Sequence, residues 1–280
     1  MSTIDLPLTV GELLNRTRAG LPQPREAILI VAYALGLSAV DLYAHPERTV
    51  SAAEAQYVLD LVERRLAGEP VAHLLGTREF YGLELRITPD VLIPRPETEL
   101  LVDLALDRLE PGTRARVLDL GTGSGAIAIA IAHARPETRM VAVDRSSAAL
   151  SVARGNAERH CLGNLGFLQG TWFEPLSGQG FDLIVSNPPY VAAADPHLLS
   201  GDVRFEPLIA LAAGPEGLDD LRAIIAAAPA HLSEDGWLLL EHGADQQAAV
   251  LELLAAAGFT ECRGHADLAG LPRAVSARRR

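Results

Sequence analysis

The stretch that decides the fold is Val117-Leu118-Asp119-Leu120-Gly121-Thr122-Gly123-Ser124-Gly125. Its first four residues form a short apolar strand pattern, and the apolar residues 126–134 that follow predict a helix. Glycines between a strand and a helix permit a tight turn and let a ligand approach the backbone closely. We therefore expect a ligand site here, because open parallel sheets bind ligands at the carboxyl ends of their strands.

Asp144 extends this site. It ends the next predicted strand, residues 140–143, where an acidic group can accept hydrogen bonds from ribose hydroxyls. A nicotinamide dinucleotide and S-adenosylmethionine both fit such a site, and the spacing Gly121-x-Gly123-x-x-Ala126 satisfies the relaxed dinucleotide pattern. These residues indicate a nucleotide-type cofactor without choosing between the two, and a purely structural turn is the alternative.

Asp119 favours one of the two cofactors. It lies one residue before the end of its strand, where dinucleotide-binding enzymes usually carry an apolar residue. The run from Asp119 to Gly125 resembles the first motif of Rossmann-like methyltransferases. This resemblance implies S-adenosylmethionine as the cofactor.

Strand and helix patterns alternate from Arg116 onward. Strands are predicted at residues 117–120, 140–143, 166–168, 181–185, 236–240 and 273–277. Helices between them predict a mostly parallel sheet that is covered on both faces. The fold class is therefore α/β, and the methyltransferase resemblance implies a Rossmann-like domain with a seven-stranded sheet.

The first quarter of the chain reads differently, since residues 9–68 carry helix patterns and no strand signal. Ser51 and Glu54 form a capping-box pattern, and Gly68 is placed to end the helix that they begin. The side chains expected to face inward on that helix are Val58, Leu61, Val62 and Leu66. We predict a helical domain over residues 1–75, a hairpin linker over residues 76–95 around Gly82, and a methyltransferase domain over residues 96–280.

The segment Ser186-Asn187-Pro188-Pro189-Tyr190 follows the strand at residues 181–185, so Asn187 projects near the glycine loop. Prolines lack a backbone N–H and leave carbonyl acceptors, Asn187 adds a side-chain acceptor, and Tyr190 adds an aromatic face. A planar NH₂ group fits this cradle, because both N–H bonds can be accepted while the group lies on the ring. A proline-rich turn that caps a strand is the structural alternative.

The cradle suits a nitrogen that is a poor nucleophile, such as an amide or an aromatic amine. No His or carboxylate in the motif could deprotonate it beforehand. An enzyme can instead hold the nitrogen in line with a methyl–sulfonium bond, and such orientation contributes about 7–11 kcal/mol at best. The acceptors then stabilise the positive charge that develops on the nitrogen.

Further segments extend the resemblance over nearly the whole chain. In order they are Phe80-Tyr81-Gly82, Leu92 to Glu99, Asp119 to Gly125, Ser186 to Tyr190, Phe205-Glu206-Pro207, Glu241-His242-Gly243 and Asp267-Leu268-Ala269-Gly270. Together they resemble the PrmC (HemK) family of release factor glutamine methyltransferases. Residues 93–99 are the most specific part, since adenine methyltransferases lack them.

The resemblance implies that the glutamine side-chain amide in the Gly-Gly-Gln loop of class I peptide chain release factors is methylated, with S-adenosylmethionine as the donor. It implies cofactor contacts from Gly121, Thr122, Gly123, Ser124, Gly125, Asp144, Trp172 and Asn187. It implies that the glutamine is held by Asn187, Pro188, Pro189 and Tyr190, with catalytic roles for Asn187, Pro188 and Tyr190. Core packing is the alternative for Trp172, and a plain domain linker is the alternative to a lid at Arg95 and Glu97.

Composition excludes other classes of function. All 24 basic residues are Arg, and without Lys the P-loop, pyridoxal and kinase chemistries are not available. A net charge of −12 disfavours binding nucleic acid through bulk positive charge, so we expect no direct nucleic-acid partner. Cys161 and Cys262 are far apart and form no metal-type pair, and no metal is expected.

The start of the chain, Met1-Ser2-Thr3-Ile4-Asp5, carries no secretory signal pattern, and no apolar run approaches the roughly 18 residues of a membrane span. We expect a cytoplasmic enzyme, no membrane partner, and a monomer by default. The family resemblance implies that the helical domain recognises the protein substrate. Three alternatives stay open: glutamine methylation of a large-subunit ribosomal protein, methylation of an adenine or guanine amino group in nucleic acid, and non-catalytic binding of release factors.

Overall fold

The computed structural model describes residues 8–176 and 180–280. Residues 1–7, on which the expectation of no secretory signal rests, lie outside the described residues, as do residues 177–179. Contacts divide the chain into two compact units, Met1–Thr77 and Arg78–Arg280. No helix in the described part of the chain is long and apolar enough to cross a membrane.

Within residues 8–77 the first unit forms helices around its own apolar core. They are α1 (Val10–Gly20), α2 (Glu26–Leu35), α3 (Ala39–Ala44), α4 (Ala52–Leu66) and α5 (Val71–Leu75). The predicted capping box of Ser51 and Glu54 is present at the start of α4. The core contains Leu13, Ile30 and Leu61, each no more than 1% exposed.

Two details of this unit differ from the sequence prediction. Residues 9–68 do contain strand: β1 (Leu8–Thr9) pairs antiparallel with β2 (Thr49–Val50). Two-residue strands are too short to give an alternating signal, which explains the miss. Leu66, expected to face inward, is 52% exposed because it is the last residue of α4, beyond the buried stripe.

A hairpin follows, with β3 at Thr77–Phe80 and β4 at Leu83–Arg86. Tyr81 and Gly82 form its two-residue turn, and both have positive φ, 52° and 75°. Positive φ at both central positions is the requirement of a type I′ turn, which matches the twist of a hairpin. The predicted centre at Gly82 is therefore observed as part of the turn.

The second unit is built on a seven-stranded sheet, as predicted. Its strands are β5 (Arg116–Leu120), β6 (Arg139–Asp144), β7 (Leu165–Gln169), β8 (Phe181–Ser186), β9 (Leu232–Glu241), β10 (Thr260–Ala266) and β11 (Pro272–Arg278). The order across the sheet is β10-β11-β9-β8-β5-β6-β7. Strands β5 to β9 pair in parallel, whereas β11 runs antiparallel between β9 and β10. The sequence pattern did not predict β10.

Helices of the second unit are α6 (Glu99–Leu106), α7 (Ala126–Ala134), α8 (Ser147–Arg159), α9 (Asp219–Ala227) and α10 (Gln247–Ala256). Short 3₁₀ helices lie at Pro96–Thr98, Pro196–Leu199, Gly201–Phe205, Leu208–Ala210 and Ala228–Ala230. Residues 126–132 of α7 are all buried, which accounts for their unbroken run of Ala and Ile. The sequence pattern did not predict α9.

The parallel register brings several loops to one edge of the sheet. Leu120 at the end of β5 pairs with Val143 of β6 and with Ser186 of β8. Ser186 in turn pairs with Leu240 of β9. The residues that follow these strands therefore meet at the carboxyl edge, where ligands bind in open parallel sheets.

Asn156 of α8 ties the hairpin to this edge. Its buried amide oxygen accepts a hydrogen bond from the Arg86 backbone N–H at 2.7 Å. Its Nδ2 donates to the Arg86 carbonyl at 3.0 Å and to the Ser124 carbonyl at 2.9 Å. One side chain thus joins β4 to the glycine loop.

Candidate active site

A cavity that opens to solvent lies at the carboxyl edge of the parallel strands. The predicted site residues that line it are Gly121, Gly123, Asp144, Trp172, Asn187 and Pro189. The predicted site residues outside its lining are Thr122, Ser124, Gly125, Pro188 and Tyr190.

The glycine loop requires glycine for reasons of packing and backbone conformation. A Cβ on Gly125, whose φ is +86°, would lie 2.8 Å from Cδ1 of Ile129 and 3.2 Å from Cβ of Ala153. A Cβ on Gly121, whose φ is +70°, would lie 3.3 Å from the Trp172 ring. The loop therefore packs closely against α7 and α8 on one side and faces an indole on the other.

Thr122 and Ser124, which the family resemblance assigns to cofactor binding, have buried side chains. The Thr122 hydroxyl donates to Oδ2 of Asp119 at 2.6 Å. Burial raises the pKa of Asp119 to about 7, although the Thr122 hydroxyl lowers it and the Asp144 charge raises it further. Because both side chains are buried beneath the loop, only the backbone of Thr122 and Ser124 is left to contact a cofactor.

The Asp144 carboxylate uses only part of its capacity to accept hydrogen bonds. Its Oδ2 accepts from the Gly123 backbone N–H at 2.9 Å, and its Oδ1 accepts from the Ser146 backbone N–H at 2.9 Å. Each carboxylate oxygen can accept a second hydrogen bond. The group is thus fixed in position at the cavity wall and still able to accept from a pair of hydroxyls.

Trp172 follows β7, and its side chain contributes both to the core and to the wall of the cavity. Its φ of 49° is left-handed, a conformation that is uncommon for a bulky residue. Asp220 of α9 also lines the cavity, near the Trp172 side chain, and burial raises the pKa of Asp220.

Asn187 follows β8 and is oriented by a residue from far along the chain. Its Nδ2 donates to Oγ1 of Thr98 at 3.1 Å. This bond uses one of the two N–H bonds of the amide and leaves the amide oxygen as an acceptor at a residue that lines the cavity. An acceptor next to the glycine loop is the feature that the sequence predicted for this position.

Tyr190 is held behind the motif. Its hydroxyl donates to Oε1 of Glu241 at 3.1 Å, and its backbone carbonyl accepts from Nε2 of Gln246 at 2.9 Å. Burial, together with the nearby Glu241 charge, raises the pKa of Tyr190 above its ordinary value. The phenol is therefore neutral and fixed in place at physiological pH.

The loop at residues 93–98 contacts the site from two positions. Glu206, which is buried, accepts from the Ile93 backbone N–H at 2.8 Å and forms an ion pair with Arg95. Thr98 holds Asn187, as described above. The sequence singled out the segments that contain Thr98, Glu206 and Glu241, but it assigned no role to these three side chains.

Two family models match the chain. Residues 112–244 match one described as a methyltransferase domain, and residues 12–76 match one described as the PrmC N-terminal domain. The release factor glutamine methyltransferase of Burkholderia pseudomallei (strain K96243) is 50% identical over 278 residues, which cover 97% of this chain and 96% of that protein. This chain belongs to the release factor glutamine methyltransferase family.

Another member of the family, from Pseudomonas aeruginosa, is 51% identical over 273 residues, covering 98% of this chain and 97% of that protein. The solved structure of T. thermophilus 16S rRNA N2 G1207 methyltransferase (RsmC), in complex with AdoMet and guanosine, matches with a TM-score of 0.54 at 22% identity. It covers 73% of this chain and 50% of that chain, and the likeness shows the fold alone. The family, the Rossmann-like fold and the methyltransferase class predicted from the sequence are confirmed.

Proposed function

We propose that this chain transfers a methyl group from S-adenosylmethionine to the side-chain amide nitrogen of the glutamine in the Gly-Gly-Gln loop of class I peptide chain release factors. The observation that carries the proposal is the orientation of Asn187. Its NH₂ group is bound by Thr98, so its oxygen is the group left to accept an N–H bond beside the glycine loop. The identity of the relatives supports the choice of substrate.

The cavity residues fit S-adenosylmethionine. The unused acceptor capacity of Asp144 suits the ribose hydroxyls, the Trp172 ring suits the adenine, and the turn from Gly121 to Gly125 suits the methionine part. When bound, the cofactor supplies a methyl group that its sulfonium centre makes electrophilic. We propose that these residues hold it next to Asn187, which also contacts it.

The amide side of the reaction requires positioning more than base catalysis. In our proposal the Asn187 oxygen and the Pro188 carbonyl accept the two N–H bonds of the glutamine amide. Pro189 lines the cavity, and we propose that Tyr190, which lies outside its lining, supports the amide with its ring. The nitrogen–carbon bond forms as the methyl–sulfur bond breaks, so that the sulfonium would leave as a neutral thioether. The acceptors stabilise the positive charge that develops on the nitrogen, and the proton passes to water after the transfer.

Labelled S-adenosylmethionine and a purified release factor test this proposal. We expect one methyl group on the glutamine of the Gly-Gly-Gln loop and none on a release factor whose glutamine is replaced by Ala. Methylation of that Ala variant would contradict the proposal. Addition of a large-subunit ribosomal protein, or of DNA or RNA, as a competing substrate distinguishes the alternatives, since the preferred substrate takes up the label first.

We further propose that the first unit recognises the release factor, in keeping with its match to the PrmC N-terminal domain. A substrate from the translation machinery implies a cytoplasmic enzyme. The residues proposed for the cofactor and the amide all lie in the second unit of one chain, so a monomer suffices. Sedimentation should accordingly give the mass of a single chain.

A further inference from the structure

We propose that Glu241 is a positioning residue that acts through the Thr98 hydroxyl. It sets whether the Asn187 amide presents its oxygen or its NH₂ group to the substrate. The inference deepens the proposed function, because it explains why Asn187 offers an acceptor rather than a donor. Glu241 touches neither the cavity nor Asn187, so its effect passes through another residue.

The burial of the Glu241 carboxyl requires a physical explanation. It ends β9, the strand beside the one that leads into Asn187, and it is 1% exposed. Its Oε1 accepts from the Tyr190 hydroxyl, whereas its Oε2 has no hydrogen-bond partner in residues 8–176 and 180–280 that meets the usual geometric limits. Burying a carboxyl costs free energy unless its oxygens are satisfied, so a purely structural site would favour a neutral residue.

Thr98 is the second group that faces this carboxyl. It stands at the N-cap of α6, yet its side chain makes no capping hydrogen bond, and it is 4% exposed. Burial raises the pKa of Glu241 to about 7, while the hydroxyls of Thr98 and Tyr190 and the charge of Arg273 lower it and Glu97 raises it. The Thr98 hydroxyl is thus close enough to Glu241 to interact with it.

Glu241 and Asn187 together determine whether the Thr98 hydroxyl donates or accepts toward each of them. A hydroxyl has one proton to donate, and the Glu241 carboxyl can only accept once it is ionised, that is, as the pH rises above about 7. When Thr98 donates to Glu241, its oxygen can only accept from Asn187, which turns the NH₂ group toward Thr98. Without an acceptor at residue 241, the hydroxyl could donate to the Asn187 oxygen. The amide would then rotate and present its NH₂ group, a donor, to a substrate that is itself an N–H donor.

Glu241 also binds Tyr190 directly. One carboxyl group therefore lies near both arms of the Asn-Pro-Pro-Tyr cradle: it accepts from the Tyr190 hydroxyl, and it neighbours the Thr98 hydroxyl that binds Asn187. These arms are joined by only a short, proline-containing segment of backbone. A shared support outside the motif explains how their side chains keep a fixed relation.

Substitutions at the two positions test the chain of contacts. Glu241→Leu removes the acceptor next to Thr98, and Thr98→Val removes the hydroxyl. We expect each to lower kcat about 10- to 100-fold, with the Kd for S-adenosylmethionine changed by less than about threefold. Thr98→Ser keeps the hydroxyl and should retain most of the turnover. Equal losses in Thr98→Ser and Thr98→Val, or unchanged turnover in Glu241→Leu, would overturn the proposal.

Thr138→Val is the matched control for Thr98→Val. Thr138 is 1% exposed and donates its hydroxyl to the Arg135 carbonyl at 2.7 Å, just before β6 and thus at the opposite edge of the sheet. We expect it to reduce the stability of the fold and leave kcat unchanged. If Thr138→Val lowered kcat as much as Thr98→Val, the effect of Thr98 would be one of general stability, and the proposal would be wrong.

The double variant Thr98→Val/Glu241→Leu should be no slower than the slower single variant, since both changes release the same amide. Multiplied losses would mean that the two residues act independently and would overturn the proposal. Nuclear Overhauser contacts between the Asn187 side-chain NH₂ and Thr98 give a readout without substrate. We expect them in the wild-type protein and not in Glu241→Leu, and their persistence would contradict the proposal even if release factors proved not to be the substrate.

Discussion

The proposed site has two halves at the carboxyl edge of the sheet, one for the cofactor and one for the glutamine amide. On the cofactor half, the hydrogen bonds that shape the loop span shorter distances in sequence: Thr122 and Asp119 are 3 residues apart, Gly123 and Asp144 are 21 apart, and Ser124 and Asn156 are 32 apart. On the amide half, Asn187 depends on Thr98, 89 residues away, and Tyr190 depends on Glu241, 51 residues away. The cofactor half is thus a local structure, whereas the amide half is assembled by the fold.

This difference has a physical basis. In our proposal the glycine loop binds the cofactor through its own backbone, which β5, α7 and the neighbouring α8 hold in position. The amide half must present the Asn187 side-chain oxygen, although a rotation of the amide that exchanges its oxygen and NH₂ group hardly changes its shape. Only neighbours of fixed polarity can choose between them, and here those neighbours come from other parts of the chain.

The largest expected effect concerns Asn187→Ala. Loss of the acceptor should lower kcat about 100- to 1,000-fold, as the loss of one preorganised group does in other enzymes. The Kd for S-adenosylmethionine should rise far less, because Asp144 and the glycine loop remain. Single-turnover kinetics and calorimetry measure the two quantities.

Asn164→Ala is the control for that experiment. Asn164 uses its Nδ2 to bond the carbonyls of Ala132 and Arg135 and plays no part in the site. We expect lower stability with normal turnover. If Asn187→Ala instead weakened cofactor binding strongly and left kcat intact, the assignment of Asn187 to the amide half would be wrong.

On the cofactor half, Gly125→Ala should mainly destabilise the fold. The new Cβ would contact Ile129 and Ala153, and the left-handed backbone adds its own cost, so we expect a loss of about 2–4 kcal/mol in the free energy of unfolding. Gly123→Ala meets no atom within 4 Å and should cost about 1–2 kcal/mol. Urea unfolding without cofactor compares the two. Equal losses would show that packing of the loop against α7 and α8 is not what requires Gly125.

Asp144→Asn should weaken cofactor binding about 10- to 100-fold, because hydrogen bonds to a charged group contribute about 1.5–3 kcal/mol each. The kcat at saturating cofactor should change little. Asp182→Asn is the control, since Asp182 accepts from the Arg116 backbone N–H at the start of β5, away from the cavity. An equal effect of both substitutions on the cofactor Kd would argue against a ribose contact by Asp144.

The two halves were not equally predictable from the sequence. The glycine loop and Asp144 follow from strand and helix periodicity with glycines at the junction, and the motif from Asn187 to Tyr190 follows from its place after β8. The contacts of Thr98 and Glu241 could not be predicted, because periodicity carries no information on which distant side chains meet. The sequence marked their segments only through family resemblance.

The sequence pattern did not predict strand β10 for a related reason. Strand β10 reads Thr-Glu-Cys-Arg-Gly-His-Ala, lies at the edge of the sheet and has two register shifts in its pairing with β11. Edge strands commonly carry charged residues and bulges, which removes the apolar alternation that predicts a strand. The seventh strand therefore came from the methyltransferase resemblance and not from the pattern.

The smallest expected effect is a pH dependence that both halves share. Burial raises the pKa of Asp119 from 3.8 to about 7 and that of Glu241 from 4.5 to about 7. Because each carboxyl binds its proton more tightly when folded, its contribution to stability is complete below about pH 4 and is lost as the pH rises toward about 7. Urea midpoints from pH 4 to pH 8 should fall less in Asp119→Asn and in Glu241→Gln than in the wild-type protein. Parallel curves for all three proteins would contradict this account.

The most direct test of the central claim is tandem mass spectrometry of a release factor after incubation with S-adenosylmethionine and either the wild-type enzyme or Asn187→Ala. We predict one added methyl group on the side-chain nitrogen of the Gly-Gly-Gln glutamine with the wild-type enzyme, and almost none with Asn187→Ala in the same time. An unmodified glutamine with the wild-type enzyme, or equal modification by both proteins, would contradict the claim that Asn187 presents an acceptor to the glutamine amide.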